Sequence, residues 1–319
     1  MGTEGIIEKY VNPYTYFGFK LLFGTAMNKE LLISFLNTVL FRGKDEEIKD
    51  VTYLSTENLG TQKYDRRVVF GVYCENEKGE KFLVEMQRGE QQFSKNRSVF
   101  YSTHPIREQG IRGEWNYELK AIYVVGILNF SFNKSDEEHF HHEVKHVDLY
   151  THEVCYDKLT FVYLEMPKFN KTEKELESMF DKWLFVLRNL PSLFERPKAL
   201  QDRVFDRLFE AAEIAKLTKA ELNEYWASLK NFRDWYSALS TAEKMGMEKG
   251  FKEGLKIGRE KGLKIGREIG LEKGVGKGLE EGLEEGKMET ARKLKETGIT
   301  TDIISHVTGL SKEEIDNLL

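Results

Sequence analysis

Residues 71–87, GVYCENEKGEKFLVEMQ, show the alternation and the polar turn that are typical of a β-hairpin. Side chains on a strand alternate between its two faces, so Glu85 and Gln87 share one face of the return strand and their apolar neighbours share the other. Burying a carboxylate and an amide on an otherwise apolar strand costs free energy unless both have partners. The pattern therefore predicts either a satisfied polar pair or a site for a metal ion and a phosphate.

The turn of this hairpin fixes what lies across from the carboxylate. If the turn is centred on Lys78, Gly71 lies directly opposite Glu85. A metal-dependent nuclease would place an aspartate there, because two carboxylates could hold one Mg²⁺ while a third residue orients the attacking water. A glycine in a strand interior often marks a close backbone approach or a lost side chain.

Several segments spread over nearly the whole chain carry a family resemblance. They are NPYTYFGFKLLFG (12–24), YDRRVVFGVYC (64–74), FLVEMQ (82–87), RSVFY (97–101), YDKLTFVYLEMPKFNKTEKEL (156–176) and a glycine-rich tail. With these segments the sequence resembles the PD-(D/E)XK nuclease family transposases, a branch grouped with the recombination-promoting nucleases. The resemblance implies an α/β fold with a restriction-endonuclease-like core.

The resemblance also assigns roles to residues. The (D/E)xK element corresponds to Glu85-Met86-Gln87, with Gln87 at the lysine position. The resemblance therefore implies that Glu85 and Gln87 are catalytic. It also implies that Glu85 binds the metal ion, Mg²⁺ or Mn²⁺. The aspartate of the family pattern falls on Gly71, and an acidic residue of the opening segment falls on Tyr16. Two expected acidic positions are therefore not acidic.

Two functions of different classes follow from these assignments. The first is a Mg²⁺-dependent DNA endonuclease of a transposase-like or recombination-promoting element, with DNA as its partner. The second is a catalytically impaired relative that binds DNA or protein and self-associates. A third, a structural oligomerisation protein, depends on the C-terminal tail alone.

Other side chains could support or replace parts of this site. Arg97 and Tyr101 lie one helical turn apart and would contact phosphate or brace the site, although a surface arginine beside a half-buried tyrosine explains them equally well. Asp65 and Glu75 are the candidates to replace the missing carboxylate. Glu75 lies about 13 Å along the strand from Gly71, which argues against it.

The net charge and the cysteine content indicate where the protein could bind DNA and in which cell compartment we expect it. The net charge of −5 gives no overall basic signature, so any DNA contact must come from a local patch. The candidate patches are Lys63 to Arg67, and Arg88 with Lys95 and Arg97. Cys74 and Cys155 lie in apolar runs and are interpreted as reduced core thiols. Without a run of about 18 apolar residues, we expect no membrane span and a cytoplasmic protein.

The histidine-rich segment HFHHEVKHVDLYTHE is the other feature that could bind metal. It contains His139, His141, His142, His146 and His152. Residues 143–149 alternate like an exposed strand, and no spacing with cysteine or carboxylate supports a zinc site. An exposed strand is the favoured interpretation.

The chain divides into four regions by composition and periodicity. The expected regions are a nuclease-like core over 10–168, a helical subdomain over 169–242, a glycine-repeat tail over 243–290, and a helix-turn-helix-like segment over 291–319. In the core we expect strands at about 49–55, 66–75, 81–88, 121–130 and 159–167, with a helix over 93–109. In the subdomain we expect helices over 173–188, 198–216 and 218–240.

The tail has a strict repeat. From Gly246 to Gly286 a glycine recurs every four residues, with charged residues and leucines between them. Each helical glycine costs about 1 kcal/mol relative to alanine. The tail is therefore either a marginal helix that orders on self-association into a homo-oligomer, or a flexible linker.

Overall fold

The computed structural model describes residues 8–41, 47–55, 71–89, 94–110, 116–132 and 138–318. Asp65, the patch from Lys63 to Arg67, and the part of the expected second strand before Gly71 lie outside the described residues. The chain divides into two units, Met1–Tyr236 and Ser237–Leu319.

The first unit is built on a mixed sheet whose described strands follow the order β1-β2-β3-β4-β6-β5. The strands are β1 (Val51–Tyr53), β2 (Gly71–Asn76), β3 (Lys81–Gln87), β4 (Ile122–Leu128), β5 (His141–Val147) and β6 (Val154–Glu165). The helices are α1 (Tyr16–Phe23), α2 (Lys29–Leu40), α3 (Ser94–Glu108), α4 (Met179–Asn189), α5 (Arg203–Ala212) and the start of α6 (Lys219–Glu296). The α/β class expected from the sequence is confirmed.

The centre of the sheet is parallel and its flanks are antiparallel. Strands β3, β4 and β6 run parallel, whereas β1–β2, β2–β3 and β5–β6 are antiparallel pairs. The parallel centre agrees with the apolar sequence of β4, IYVVGIL, because a strand covered on both faces carries apolar residues at successive positions.

Each face of the sheet has its own apolar cluster. One face packs against α1, α2, α4 and α5, around the fully buried Trp183, whose indole N–H donates to the Ser34 hydroxyl. The opposite face carries a smaller cluster that includes Tyr101 of α3, Val124 and Tyr163. Glu85 and Gln87 alternate with Val84 and Met86 of the larger cluster, so they point to the α3 face.

The interpretation of Cys155 as a core thiol is wrong. Strand β6 begins at Val154, earlier than the expected residue 159, and pairs with β4 only from Leu159 onward. Its first residues pair with β5 alone and are exposed, Cys155 among them. Cys74 is buried as expected, and burial raises the pKa of its thiol to about 12.

Helix boundaries in the subdomain differ from the expected ones. The segment expected to be helical over 173–188 contains a short 3-10 turn before α4, which begins after the capping Ser178. Helix α5 is shorter than the expected 198–216. The start of α6 is as predicted, since Thr218 and Glu221 exchange side-chain and backbone hydrogen bonds in a capping box. However, α6 continues well past the expected end at residue 240.

The second unit contains the rest of α6 and two short helices, α7 (Thr301–Thr308) and α8 (Lys312–Asp316). Their small core is Ala291, Ile304 and Ile315. Gly309 takes a left-handed backbone conformation (φ 77°) between the two helices, as the sequence indicates for a turn. In neither unit does a described helix have the length and apolar character needed to cross a membrane.

Candidate active site on the α3 face of the sheet

The register of the β2–β3 hairpin is the one predicted from the sequence. Gly71 pairs directly with Glu85, and the turn at residues 77–79 places Gly79 in the left-handed region (φ 78°). On its other side Glu85 pairs with Gly126 of β4, which in turn pairs with Tyr163 of β6. Gly71, Glu85, Gly126 and Tyr163 therefore form one row across the α3 face.

Gly126 leaves the space that the tyrosine ring fills. A Cβ at this position would lie 3.0 Å from Cδ1 of Tyr163. Because contacts this short are rare for real Cβ atoms, a larger residue would push the ring away. The glycine thus lets the Tyr163 ring lie over β4, between its own strand and the strand that carries Glu85.

Glu85 is a buried carboxylate, with 5% of the residue exposed. The amide nitrogen of Gln87 donates to its Oε2 at 3.1 Å. Burial raises the pKa of Glu85, and the nearby positive charge of Arg97 and the Gln87 hydrogen bond oppose that rise. The carboxylate is therefore partnered, but by one amide and one cation instead of by a second acid.

Helix α3 supplies the groups that face this carboxylate. The guanidinium of Arg97 lies 5.6 Å from the ring centroid of Tyr101, which is buried. The next residue, Ser98, is also buried and hydrogen-bonds with the Tyr163 hydroxyl. Burial raises the pKa of Tyr163, and the negative charge of Glu85 raises it further. Arg97 therefore lies near Glu85, and Tyr101 lies beside Arg97.

The other two predicted basic residues flank the same end of β3. Arg88 directly follows β3, with its guanidinium 5.7 Å from the Phe232 ring centroid, and burial lowers its pKa. Lys95 lies in the first turn of α3, with its ammonium 4.5 Å from the Phe132 ring centroid. Each cation lies over an aromatic ring, and the cation–π contact helps to hold it in place.

Tyr16 and Glu75, which the sequence relates to the site, do not lie beside Glu85. Tyr16 is the first residue of α1, whose buried side chains belong to the apolar cluster on the opposite face of the sheet. Glu75 pairs in register with Lys81, and their side chains form an ion pair at 2.8 Å. Glu75 is therefore held by Lys81, away from the row that contains Glu85.

Sequence reasoning missed a buried ion cluster at the end of β6. Glu165 is 1% exposed, and its carboxylate contacts Nζ of Lys168 at 2.7 Å and Nε2 of His142 at 2.9 Å. Glu165 lies two residues after Tyr163, so both point to the same face of the sheet. The available signal was the change from an apolar run to Glu-Met-Pro-Lys at the end of the strand.

The described residues do not provide a complete set of metal ligands. A divalent cation such as Mg²⁺ prefers several oxygen ligands, usually including carboxylates. Glu85 offers one carboxylate and Gln87 one amide oxygen, and Gly71 has no side chain to offer. Among the described residues no group of three histidine, cysteine, aspartate or glutamate side chains is placed to hold a metal ion.

Replacing Glu85 by glutamine should stabilise the fold increasingly as pH rises. Because burial raises the pKa of Glu85, the folded state holds this proton more tightly than the unfolded state does. The contribution of Glu85 to stability is therefore highest below the ordinary pKa of 4.5 and is lost as pH rises through the raised value. Urea denaturation at several pH values between about 4 and 8 should show the advantage of Glu85→Gln growing with pH.

The control for this prediction is Glu224→Gln, which removes an exposed carboxylate on α6. Its free energy of unfolding should stay within about 0.5 kcal/mol of that of the unaltered protein at every pH. A pH-independent difference for Glu85→Gln would contradict the buried-carboxylate interpretation.

Comparison with known proteins identifies the family of this chain. A family model described as "PD-(D/E)XK nuclease family transposase" matches residues 13–242, which is more than half of the chain. Searches of curated proteins and of solved structures gave no match. The matched region includes the hairpin with Glu85 and Gln87, helix α3 and the whole sheet. The chain therefore belongs to the PD-(D/E)XK nuclease family transposases.

Proposed function

We propose that this protein acts on DNA as a PD-(D/E)XK-type endonuclease of a transposase-like or recombination-promoting element, and that its cleavage step is impaired. Glu85 and Gln87 are the proposed catalytic pair, with Glu85 as the metal ligand. The observation that carries the proposal is the pairing of Gly71 with Glu85. A second acid is expected at the position on the neighbouring strand that faces the proposed catalytic carboxylate, but that position is Gly71, which has no side chain.

The charge distribution around the site supports DNA as the partner. The net charge of the chain is −5, yet Arg88, Lys95 and Arg97 all lie near the end of β3 that carries Gln87. Phosphate contacts from arginine and lysine supply most of the sequence-independent affinity for DNA. Since DNA is the proposed substrate, we expect the protein to act in the cytoplasm.

Nucleases of this family generally use divalent metal ions, so the test of cleavage is made with Mg²⁺ and with Mn²⁺. Purified protein is incubated with supercoiled plasmid beside a Glu85→Ala variant. We expect slow nicking by the unaltered chain that Glu85→Ala abolishes. Vigorous cleavage by the unaltered chain would overturn the proposed impairment, and nicking that persists in Glu85→Ala would remove Glu85 from the catalytic pair.

A second candidate is a non-cleaving relative that binds DNA or protein and self-associates. The observation that favours it is that the Gln87 amide already satisfies the Glu85 carboxylate, which leaves a partnered polar pair without need of a metal. DNA binding without any nicking, in either metal and at any protein concentration, would favour this candidate over the first.

DNA binding itself should depend on Arg97. Replacing Arg97 by alanine removes the positive charge that acts on Glu85, so we expect the affinity for a duplex to fall several-fold. A plot of the logarithm of affinity against the logarithm of salt concentration should become less steep by about one unit of slope, as expected for the loss of one phosphate contact. Fluorescence anisotropy with a labelled duplex over a range of salt concentrations measures both quantities.

Arg107→Ala is the matched control, because Arg107 is an exposed arginine at the other end of the same helix. It changes the net charge equally but should leave the affinity within about twofold of the unaltered value. Equal losses for Arg97→Ala and Arg107→Ala would mean that binding depends on overall charge and not on this face of the sheet.

A further inference from the structure

The part of α6 in the second unit carries a row of exposed apolar side chains at intervals of four residues or multiples of four. The members of this row, which we call the apolar row, are 58–77% exposed: Met247, Phe251, Leu255, Leu263, Leu271, Val275, Leu279 and Leu283. Arg259 and Arg267 occupy the two intervening positions. The row follows directly beside the glycines at Gly246 to Gly286, where a Cβ would meet nothing within 4 Å.

Such a row of exposed apolar side chains is unusual for a helix that remains in water. Each exposed aliphatic side chain forgoes the favourable free energy that its burial would supply. Contiguous apolar surface on a soluble protein commonly marks an interaction site. The neighbouring glycines lack side chains, so a second helix that follows the row could approach the backbone closely.

The four-residue spacing defines the geometry of a partner helix. A step of four residues exceeds the helical turn of 3.6 residues, so the apolar row advances about 40° per step in the right-handed sense. A partner that keeps contact with the row must wrap around it with the same hand. Rows spaced by four residues pack against each other at a crossing angle of about −50°.

Charge is unevenly divided along this segment. Residues 248–267 contain seven lysines and arginines and three glutamates, a net charge of +4. Residues 268–287 contain six glutamates and three lysines, a net charge of −3. We call these the basic half and the acidic half. A parallel pair would place like halves side by side, whereas an antiparallel pair places each basic half against an acidic half.

We propose that the apolar row is covered by the same segment of a second copy of this chain, in an antiparallel, right-handed helix pair centred near Arg267. The exposed apolar side chains supply the attraction, the four-residue spacing sets the hand, and the two charged halves set the direction. The proposal concerns the second unit and does not depend on whether the first unit cleaves DNA.

Cysteine crosslinking in the full-length chain tests the direction. Cys155 is exposed and is first replaced by serine, while Cys74 is buried and is kept. Phe251→Cys and Leu283→Cys are then made in separate chains, one of them carrying a tag. In an antiparallel pair centred near Arg267, position 251 of one copy lies beside position 283 of the other. The two copies of position 251 lie about 48 Å apart, far beyond the reach of a disulfide.

We expect mild oxidation of the mixed chains to give the tagged–untagged crosslink as the main product. Each variant alone should give at least tenfold less crosslinked dimer. Efficient crosslinking of Phe251→Cys with itself would overturn the antiparallel arrangement in favour of a parallel one. Arg267→Cys is the control, because the central position crosslinks with itself in either direction. Absence of that product would overturn the pairing altogether.

Charge reversal gives an independent test by sedimentation equilibrium. Replacing Glu280, Glu281, Glu284 and Glu285 by lysine makes the acidic half basic, and we expect self-association at low salt to weaken by roughly tenfold or more. Mixing this variant with a chain in which Lys249, Lys252, Lys256 and Arg259 are replaced by glutamate should restore pairing between the two variants. Unchanged self-association of either variant would refute the role of the charged halves.

Discussion

Replacing Gly71 by aspartate is expected to give the protein metal-dependent DNA cleavage well above that of the unaltered chain. Gly71 pairs directly with Glu85 across the hairpin, and Cβ atoms of directly opposed residues lie about 4.5–5.5 Å apart. Two carboxylates at this separation could share one divalent cation, which the single carboxylate of Glu85 serves poorly. We expect nicking of supercoiled plasmid in Mg²⁺ or Mn²⁺ to rise on the order of a hundredfold.

A second measurement on the same variant does not depend on cleavage. Without metal, the new carboxylate beside buried Glu85 should lower the melting temperature, because two like charges then share one site. Addition of Mg²⁺ should raise the melting temperature of Gly71→Asp and leave that of the unaltered chain nearly unchanged, since a ligand stabilises the state that binds it.

Two controls decide the interpretation. Gly71→Asp combined with Glu85→Ala should lose both the cleavage and the response to Mg²⁺. Thr52→Asp adds the same charge at an exposed position on the neighbouring strand β1 and should do neither. If Gly71→Asp binds Mg²⁺ but does not cleave, the missing acid is not the main defect, and the impairment lies at Gln87 or Tyr16.

The hairpin was predictable because its register depends on local sequence. The turn at Lys78-Gly79 and the alternation on both strands fix which residues face each other, so the opposition of Gly71 and Glu85 followed without knowledge of the rest of the fold. Likewise, the apolar run of β4 and the capping signal at Thr218 indicate structure within a few residues.

The neighbours of Glu85 beyond the hairpin were not predictable in the same way. Tyr163 reaches the site because β3, β4 and β6 pair in parallel, an order set by packing among residues far apart in the chain. The exposure of the first residues of β6 was not predictable for the same reason. Cys155 lies in a run that looks apolar, but among the described strands only β5 pairs with that part of β6. Strand propensity predicts a strand but not which of its residues are covered.

Lys168→Met is expected to be strongly destabilising. The side chain of Glu165 is 0% exposed and that of Lys168 is 6% exposed, so their ion pair at 2.7 Å lies almost entirely away from water. Removing one partner of a buried pair leaves an uncompensated charge, at a cost of about 3–5 kcal/mol. The His142 imidazole contacts the other carboxylate oxygen, but 26% of its side chain is exposed and it is charged only when protonated. We expect the melting temperature to fall by roughly 10 °C.

The double variant Glu165→Leu with Lys168→Met separates the cost of the orphaned charge from the value of the pair. If the loss comes from the buried carboxylate, removing that carboxylate as well should recover most of the stability, so the double variant should be clearly more stable than Lys168→Met alone. Lys216→Met, which breaks an exposed ion pair with Glu213, should cost less than about 1 kcal/mol. A double variant no more stable than Lys168→Met would instead mean that Lys168 acts through its packing.

The unpaired carboxylate left in Lys168→Met should also disturb the candidate site, because Glu165 lies two residues beyond Tyr163 on β6. DNA affinity measured below the melting transition should therefore fall in Lys168→Met. It should recover in part in the double variant, which has no unpaired carboxylate at this position.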